Sequence, residues 1–193
     1  MRREKLMMRL SAAEMLALWK LRLHLLPARR DCSVEREDGI DIDALLKSQI
    51  SQWYSRLLAE APSTWLPIAD LAADIVLTTA ADGVVTARIP ARCVRPVEFQ
   101  LEGWSRPVSD FIAPDSVEAL LQQSAFVRGG SCTPVAVLYE DEIRLYSVKA
   151  GTSAVLSRAL CVVAPDDGYY EFSEEALGTI DKFAVDAAAS FGY

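Results

Sequence analysis

The chain has 193 residues, 51% of them apolar and 24% charged, with 9 Gly, 9 Pro and a single His. This composition excludes a disordered or fibrous chain and weakens most histidine-dependent zinc or catalytic chemistry. The formal charge of −7 is unevenly spread: residues 1–30 carry 8 Lys/Arg against 2 Glu, a net of +6, and residues 31–193 carry 12 against 25 Asp/Glu, a net of −13. An acidic body repels a nucleic-acid backbone, so no nucleic-acid specificity is expected, and only the first segment could attract phosphate or an anionic surface.

Residues 4–26 contain no Gly or Pro and are rich in good helix formers, which predicts a helix ended by Pro27. The stretch starts basic and turns apolar, as a signal peptide does. Its longest uninterrupted apolar run, Met15–Trp19, is too short for a signal core or a membrane span. The expectation is a soluble chain, with no membrane span, whose residues 1–30 form a basic helical arm. Residues 28–40 are polar and charged and read as a linker, leaving a single α+β domain over 41–193.

Within that domain, Asp41 is placed to cap a helix over 41–60, with Leu45, Leu46, Ile50, Trp53, Tyr54, Leu57 and Leu58 at helical spacing. Pro62 stops it, and Ser63 or Thr64 can cap a second helix over 63–80, with Pro67 in its first turn and Leu66, Leu71, Ile75 and Val76 as its inner stripe, that ends at Asp82-Gly83. From Val84 to Val163 the pattern turns β-branched and alternating, with Val97, Phe99 and Leu101 on one face. A short helix over 115–124, capped by Asp115 with Glu118 three residues on, interrupts it. A hairpin crosses Glu140-Asp141, and Val155–Val163 is a further strand. Ser173 caps a last helix over 173–190 with Ala176, Ile180, Phe183, Ala184, Ala187 and Ala188 inward. The expected fold is α+β: a helical bundle (41–60, 63–80, 173–190) with an inserted, mostly antiparallel β-region and an extra N-terminal helix.

No residue set assembles into a catalytic motif. His24 is the only imidazole, it sits among Lys20, Arg22, Arg29 and Arg30, and there is no G-x-S-x-G elbow. Cys132 follows Gly129-Gly130, yet only Arg128 is in sequence reach to stabilise a thiolate, so the glycines read as a turn needing positive φ. The loop lacks the phosphate-cradle lysine. Asp38, Asp41 and Asp43 do not follow the calcium-loop order, and Asp166-Asp167-Gly168 reads as a turn. Glu140, Asp141 and Glu142 sit at a hairpin tip and point into water. Cys32, Cys93, Cys132 and Cys161 are widely spaced and read as reduced thiols. The chain is therefore expected to bind rather than catalyse, with no cofactor and no metal. Four arginines, Arg88, Arg92, Arg95 and Arg106, fall close together and could form a docking patch for an acidic partner. Trp104 and Arg106 are the strongest contact candidates, because Trp and Arg are enriched at interface hot spots. Arg128, and Trp19 and Arg22 on the basic arm, complete the candidate set.

The order of segments resembles a known family. A helix from Asp41 leads to Trp65-Leu66-Pro67, then to Gly83-Val84-Val85-Thr86-Ala87-Arg88-Ile89-Pro90. Cys93-Val94-Arg95-Pro96-Val97-Glu98-Phe99-Gln100-Leu101 follows, then Gly103-Trp104-Ser105-Arg106-Pro107-Val108, Arg128-Gly129-Gly130 and Leu145-Tyr146. Over about 41–190 this looks like the small head–tail adaptor (connector) proteins of tailed bacteriophages and prophages. The resemblance implies a virion structural protein that docks on the portal, contacts tail proteins and assembles with itself into a ring. Its location would be the virion, and the bacterial host cytoplasm during assembly. The alternative is a host cytoplasmic protein-binding module, regulatory or chaperone-like, without catalysis.

Overall fold

Ser11 decides where the first helix begins. Its backbone N–H donates to Glu14 Oε2 at 2.8 Å and its Oγ accepts from the Glu14 N–H at 3.3 Å, a reciprocal capping box. The backbone bond from Ser11 holds the Glu14 carboxyl below its ordinary range. In the computed structural model, which describes residues 6–23, 41–148, 153–165 and 168–183, the helix α1 is therefore confined to Ala12–Arg22. The residues before it form a strand, β1 (Met7–Ser11), and not the start of the helix expected over 4–26. His24, Cys32, Asp38 and the 28–40 linker lie outside the described residues, as do Asp166, Asp167, Ala184, Ala187 and Ala188.

The expected helical bundle is not the fold. Ten strands in three sheets dominate the described residues, and the one long helix is α2 (Ile42–Glu60), capped by Asp41 as its sequence indicates. The segment expected as a helix over 63–80 is a 3-10 turn at Ser63–Trp65 followed by β2 (Ile68–Asp70) and β3 (Val76–Thr79). Pro67 explains the switch, since it biases Leu66 away from helix, and Leu66 sits at φ −120, ψ 156. The Asp70 carboxylate then accepts from the Ala72 N–H, turning the chain between the two strands. The β-region continues with β4 (Val85–Arg88), β5 (Cys93–Leu101), β6 (Phe111–Ile112), α3 (Val117–Leu121), β7 (Ala136–Leu138), β8 (Glu142–Leu145) and β9 (Leu156–Val163). The last expected helix is preceded by a strand, β10 (Tyr169–Ser173). A 3-10 turn over Glu174–Leu177, capped by Ser173, follows before helical backbone at 178–183.

The chain divides into two compact units, Met1–Pro67 with Pro165–Tyr193, and Ile68–Ala164. In the first, β1 and β10 pair antiparallel, Met7 opposite Ser173 and Ser11 opposite Tyr169. α2 lies on them through aromatic contacts: Trp53 meets Phe172 edge-on at 5.3 Å, and Tyr54 meets Tyr170 at 5.0 Å. Trp19 and Met15 from α1 are fully buried, with Trp19 edge-on to Trp53 at 6.0 Å. In the second unit, β9 pairs with both β2 and β5, while β3, β4, β8, β7 and β6 form the other sheet. All of these pairs are antiparallel except β6 with β7. Phe99, Leu101, Ala159 and Cys161 from one sheet pack with Val85, Ala87, Ile143 and Leu145 from the other. Gly83, at φ 84, supplies the left-handed turn between β3 and β4. No helix among the described residues is long and apolar enough to cross a membrane.

Tyr54 joins α2 to β10 chemically as well as by packing. Its hydroxyl donates to the Glu171 carbonyl and accepts from the Glu171 N–H, both at 3.1 Å. Burial pushes the phenol up to about 12 from an ordinary value of 10.0. The neutral phenol is thus favoured by folding. Its stabilisation is complete below about pH 10 and is lost as the pH rises toward 12. Tyr54→Phe leaves two backbone groups unpaired and should cost about 1–3 kcal/mol at neutral pH. It should also flatten the decline in stability across the alkaline range. Urea unfolding followed by tryptophan fluorescence at neutral and alkaline pH checks both outcomes.

Candidate functional site

The segment 113–134 leaves the second unit's sheets between β6 and β7 and carries almost no charge beyond Asp115, Glu118 and Arg128. Its helix α3 starts at Ser116, not at the expected Asp115. The Ser116 backbone is extended and its Oγ accepts from the Ala119 N–H at 3.2 Å, while Ser116 Oγ–H donates to the Ala113 carbonyl at 2.7 Å. The helix is inverted in polarity. Ala119 and Gln122, three residues apart, are its buried side, at 5% and 6% exposure. Val117, Leu120 and Leu121 share the opposite face and are 71%, 56% and 46% exposed. Phe126 and Val127 follow, with Phe126 fully open to water.

A buried polar anchor holds this segment. Gln122 donates through Nε2 to the Glu118 carbonyl at 3.2 Å, and its Oε1 accepts from the Gly129 N–H at 2.9 Å. Arg128 donates through Nε to the Gln122 carbonyl at 3.0 Å and through Nη1 to the Asp82 carbonyl at 2.7 Å. Its Nη2 reaches the Asp82 carboxylate at 3.2 Å, and the guanidinium lies over the Tyr146 ring at 5.5 Å. The Val84 N–H, with Arg128 adding to it, holds the Asp82 carboxyl below its usual range, and burial raises the Tyr146 phenol. Gly129 is required for space, not for a positive φ. A Cβ there would stand 2.6 Å from the Thr133 carbonyl oxygen and 2.9 Å from Val135 Cγ2. The arrangement can bind an apolar partner face; it brings no nucleophile and base together.

The structure distributes the sequence-derived candidates widely. Trp104 lies in the second unit's core at 6% exposure and Trp19 in the first unit's core at 0%. Arg22 pairs with Asp181 at 3.0 Å. Arg92 is ion-paired with Asp74, Arg95 is half-buried on β5, and Arg106 is exposed in the turn after it. Arg88 stands opposite Glu142 in the β4–β8 pairing. Cys132 is exposed in a turn, and the guanidinium of Arg128 is committed to Gln122 and Asp82. Glu142 pairs with Arg144 at 2.9 Å. No group of three or more His, Cys, Asp or Glu gathers among the described residues. A groove of about 250 Å³ in the first unit is lined by Trp53, Trp65 and Phe183 with Arg56, Glu60 and Lys182, and Arg56 and Glu60 pair with each other at 2.9 Å.

Sequence reasoning missed Val117, Leu120, Leu121, Phe126 and Val127. Their signal was a short helix with Gln122 at the spacing of Ala119, since a buried Gln displaces apolar residues to the outer face. Nothing matches the chain among known protein families, curated sequences or solved structures.

Anchor and display separate experimentally. Gly129→Ala forces backbone apart and should cost about 1–3 kcal/mol. Phe126→Ser removes no internal contact and should change stability by less than about 0.5 kcal/mol. Urea midpoints of the two variants against the parent protein check the contrast.

Proposed function

We propose that this chain is a structural protein of a tailed bacteriophage or prophage virion, a head–tail adaptor that docks on the portal and forms a ring with copies of itself. The observation that carries the reading is the water-facing apolar side of α3 with Phe126 and Val127, fixed by the Arg128–Gln122 anchor. A helix that buries its Gln and displays its Val and Leu is built to meet another surface. Asp115 and Glu118 rim that face. The N-terminal segment is basic and displays Leu6 and Leu21, at 74% and 60% exposure. An acid-rimmed apolar patch on one copy and the exposed apolar residues of the basic N-terminal segment on the next would make a heterologous contact, the kind that closes into rings. The segment order quoted above adds the portal as the ring's seat. The work is binding, done in the virion after folding in the host cytoplasm.

Mass spectrometry of particles induced from the source strain tests this. The expected result is the chain in purified virions at a copy number near the portal's. Absence from particles despite expression in the cells would overturn it and favour the host-binding alternative. Leu120→Asp with Phe126→Asp should leave the fold intact, lower self-association in light scattering at least about tenfold, and deplete the chain from particles.

A further inference from the structure

Strands β5 and β9 bring two cysteines of the second unit together. Cys93 stands opposite Val163 and Cys161 opposite Pro96, with an irregularity in the pairing between Cys93 and Arg95. Both side chains belong to the inner side of the sheet: Cys161 is fully buried in the core, and Cys93, half-buried, packs against the same cluster. Both thiols are free. The pair is asymmetric. Cys93 is half-buried and reachable, whereas Cys161 is fully buried; the neighbouring sulfur lowers the pKa of the Cys93 thiol and, with burial, raises that of Cys161. A reachable thiol and a buried one on the same inner face of paired strands are an arrangement that disulfide exchange can use.

We propose that Cys93 and Cys161 form an exchange-active dithiol that a low-molecular-weight disulfide converts to a reversible cross-strand disulfide. The Cys93 thiolate attacks one sulfur of the small disulfide. A new S–S bond forms, the old one breaks, and one small thiolate leaves. Cys161 then gives up its proton, its sulfur attacks Cys93 Sγ, and the mixed disulfide releases the second small thiol. Two protein thiols are oxidised, and one small disulfide is reduced to two thiols. The product ties β5 to β9 and closes the chain between residues 93 and 161, which restricts the unfolded state. Cys132, exposed on its turn, serves as an internal control.

The test uses the folded full-length protein in oxidised glutathione, quenched with acid, alkylated and mapped by peptide mass spectrometry. The expected product is a Cys93–Cys161 linked peptide, lost on return to reduced glutathione and accompanied by a higher urea midpoint. Cys161→Ala should halt the reaction at glutathionylated Cys93, and Cys93→Ala should leave Cys161 unmodified. Glutathione adducts on Cys93 and Cys132 with no linked peptide would overturn the proposal in the parent protein, whatever the variants do. A Cys93 link to Cys132 or Cys32 would overturn it equally.

Discussion

The first unit depends on one long-range pairing. Residues 7–11 and 169–173 form an antiparallel ribbon, and the whole of the second unit is inserted between them in the chain. A two-stranded ribbon is marginal in water by itself. Here α2 supplies what the ribbon lacks: Trp53 and Tyr54 cover Phe172 and Tyr170, and the Tyr54 hydroxyl holds both backbone polar groups of Glu171. The long separation is less costly than it looks. Closure entropy rises only by about 0.6 kcal/mol per doubling of loop length, and the intervening 68–164 has a core of its own.

That second core is organised around β9, the middle strand of its sheet. Asp70 adds a side-chain clasp: one carboxylate oxygen accepts from Ala72 N–H and from Ala159 N–H, both at 3.0 Å, while Leu71 N–H reaches the Ala159 carbonyl at 2.8 Å. Small residues at Ala87, Ala136 and Ala159 leave room for Phe99, Ile143 and Leu145 in the same cluster. The surface ion pairs, such as Arg158 with Glu98 and Arg56 with Glu60, lie largely in water and add little stability. Packing, and not the uneven charge, holds the unit.

Legibility in the sequence followed the range of the deciding interaction. Asp41 capping α2, the alternation of β5, the β7–β8 hairpin and β9 are local or period-two signals, and they appear near their expected places. Leu6, Met7, Met8 and Leu10 suit a helix by propensity, yet a partner more than 150 residues away in the chain turns Met7–Ser11 into a strand. The capping box at Ser11 and Glu14 was nevertheless readable and marks the true helix start. Over 63–80 the apolar spacing imitates a helix, whereas Pro67 and the β-branched run at Ile75-Val76 carry the decisive information. Tyr169–Ser173 alternates too briefly beside its turn to be read without its partner. The candidate site was half visible. The short helix was expected, but apolar positions are read as inward by default, and only the hydrogen bonds of Gln122 reverse that assignment.

Arg128 shows why that reversal matters. By composition it is a contact candidate, yet its side chain is only 11% exposed and its donors are spent on the Gln122 carbonyl and on Asp82. α3 is far shorter than an isolated helix needs to persist in water. Without the anchor, Val117, Leu120, Leu121 and Phe126 would have to be ordered each time a partner arrived, and that ordering would be subtracted from the affinity. With the anchor, the free protein already holds them in place. The largely buried Arg128 side chain and the buried Gln122 would thus act on the proposed binding without touching the partner, and the local conflict of apolar side chains in water is confined to one face.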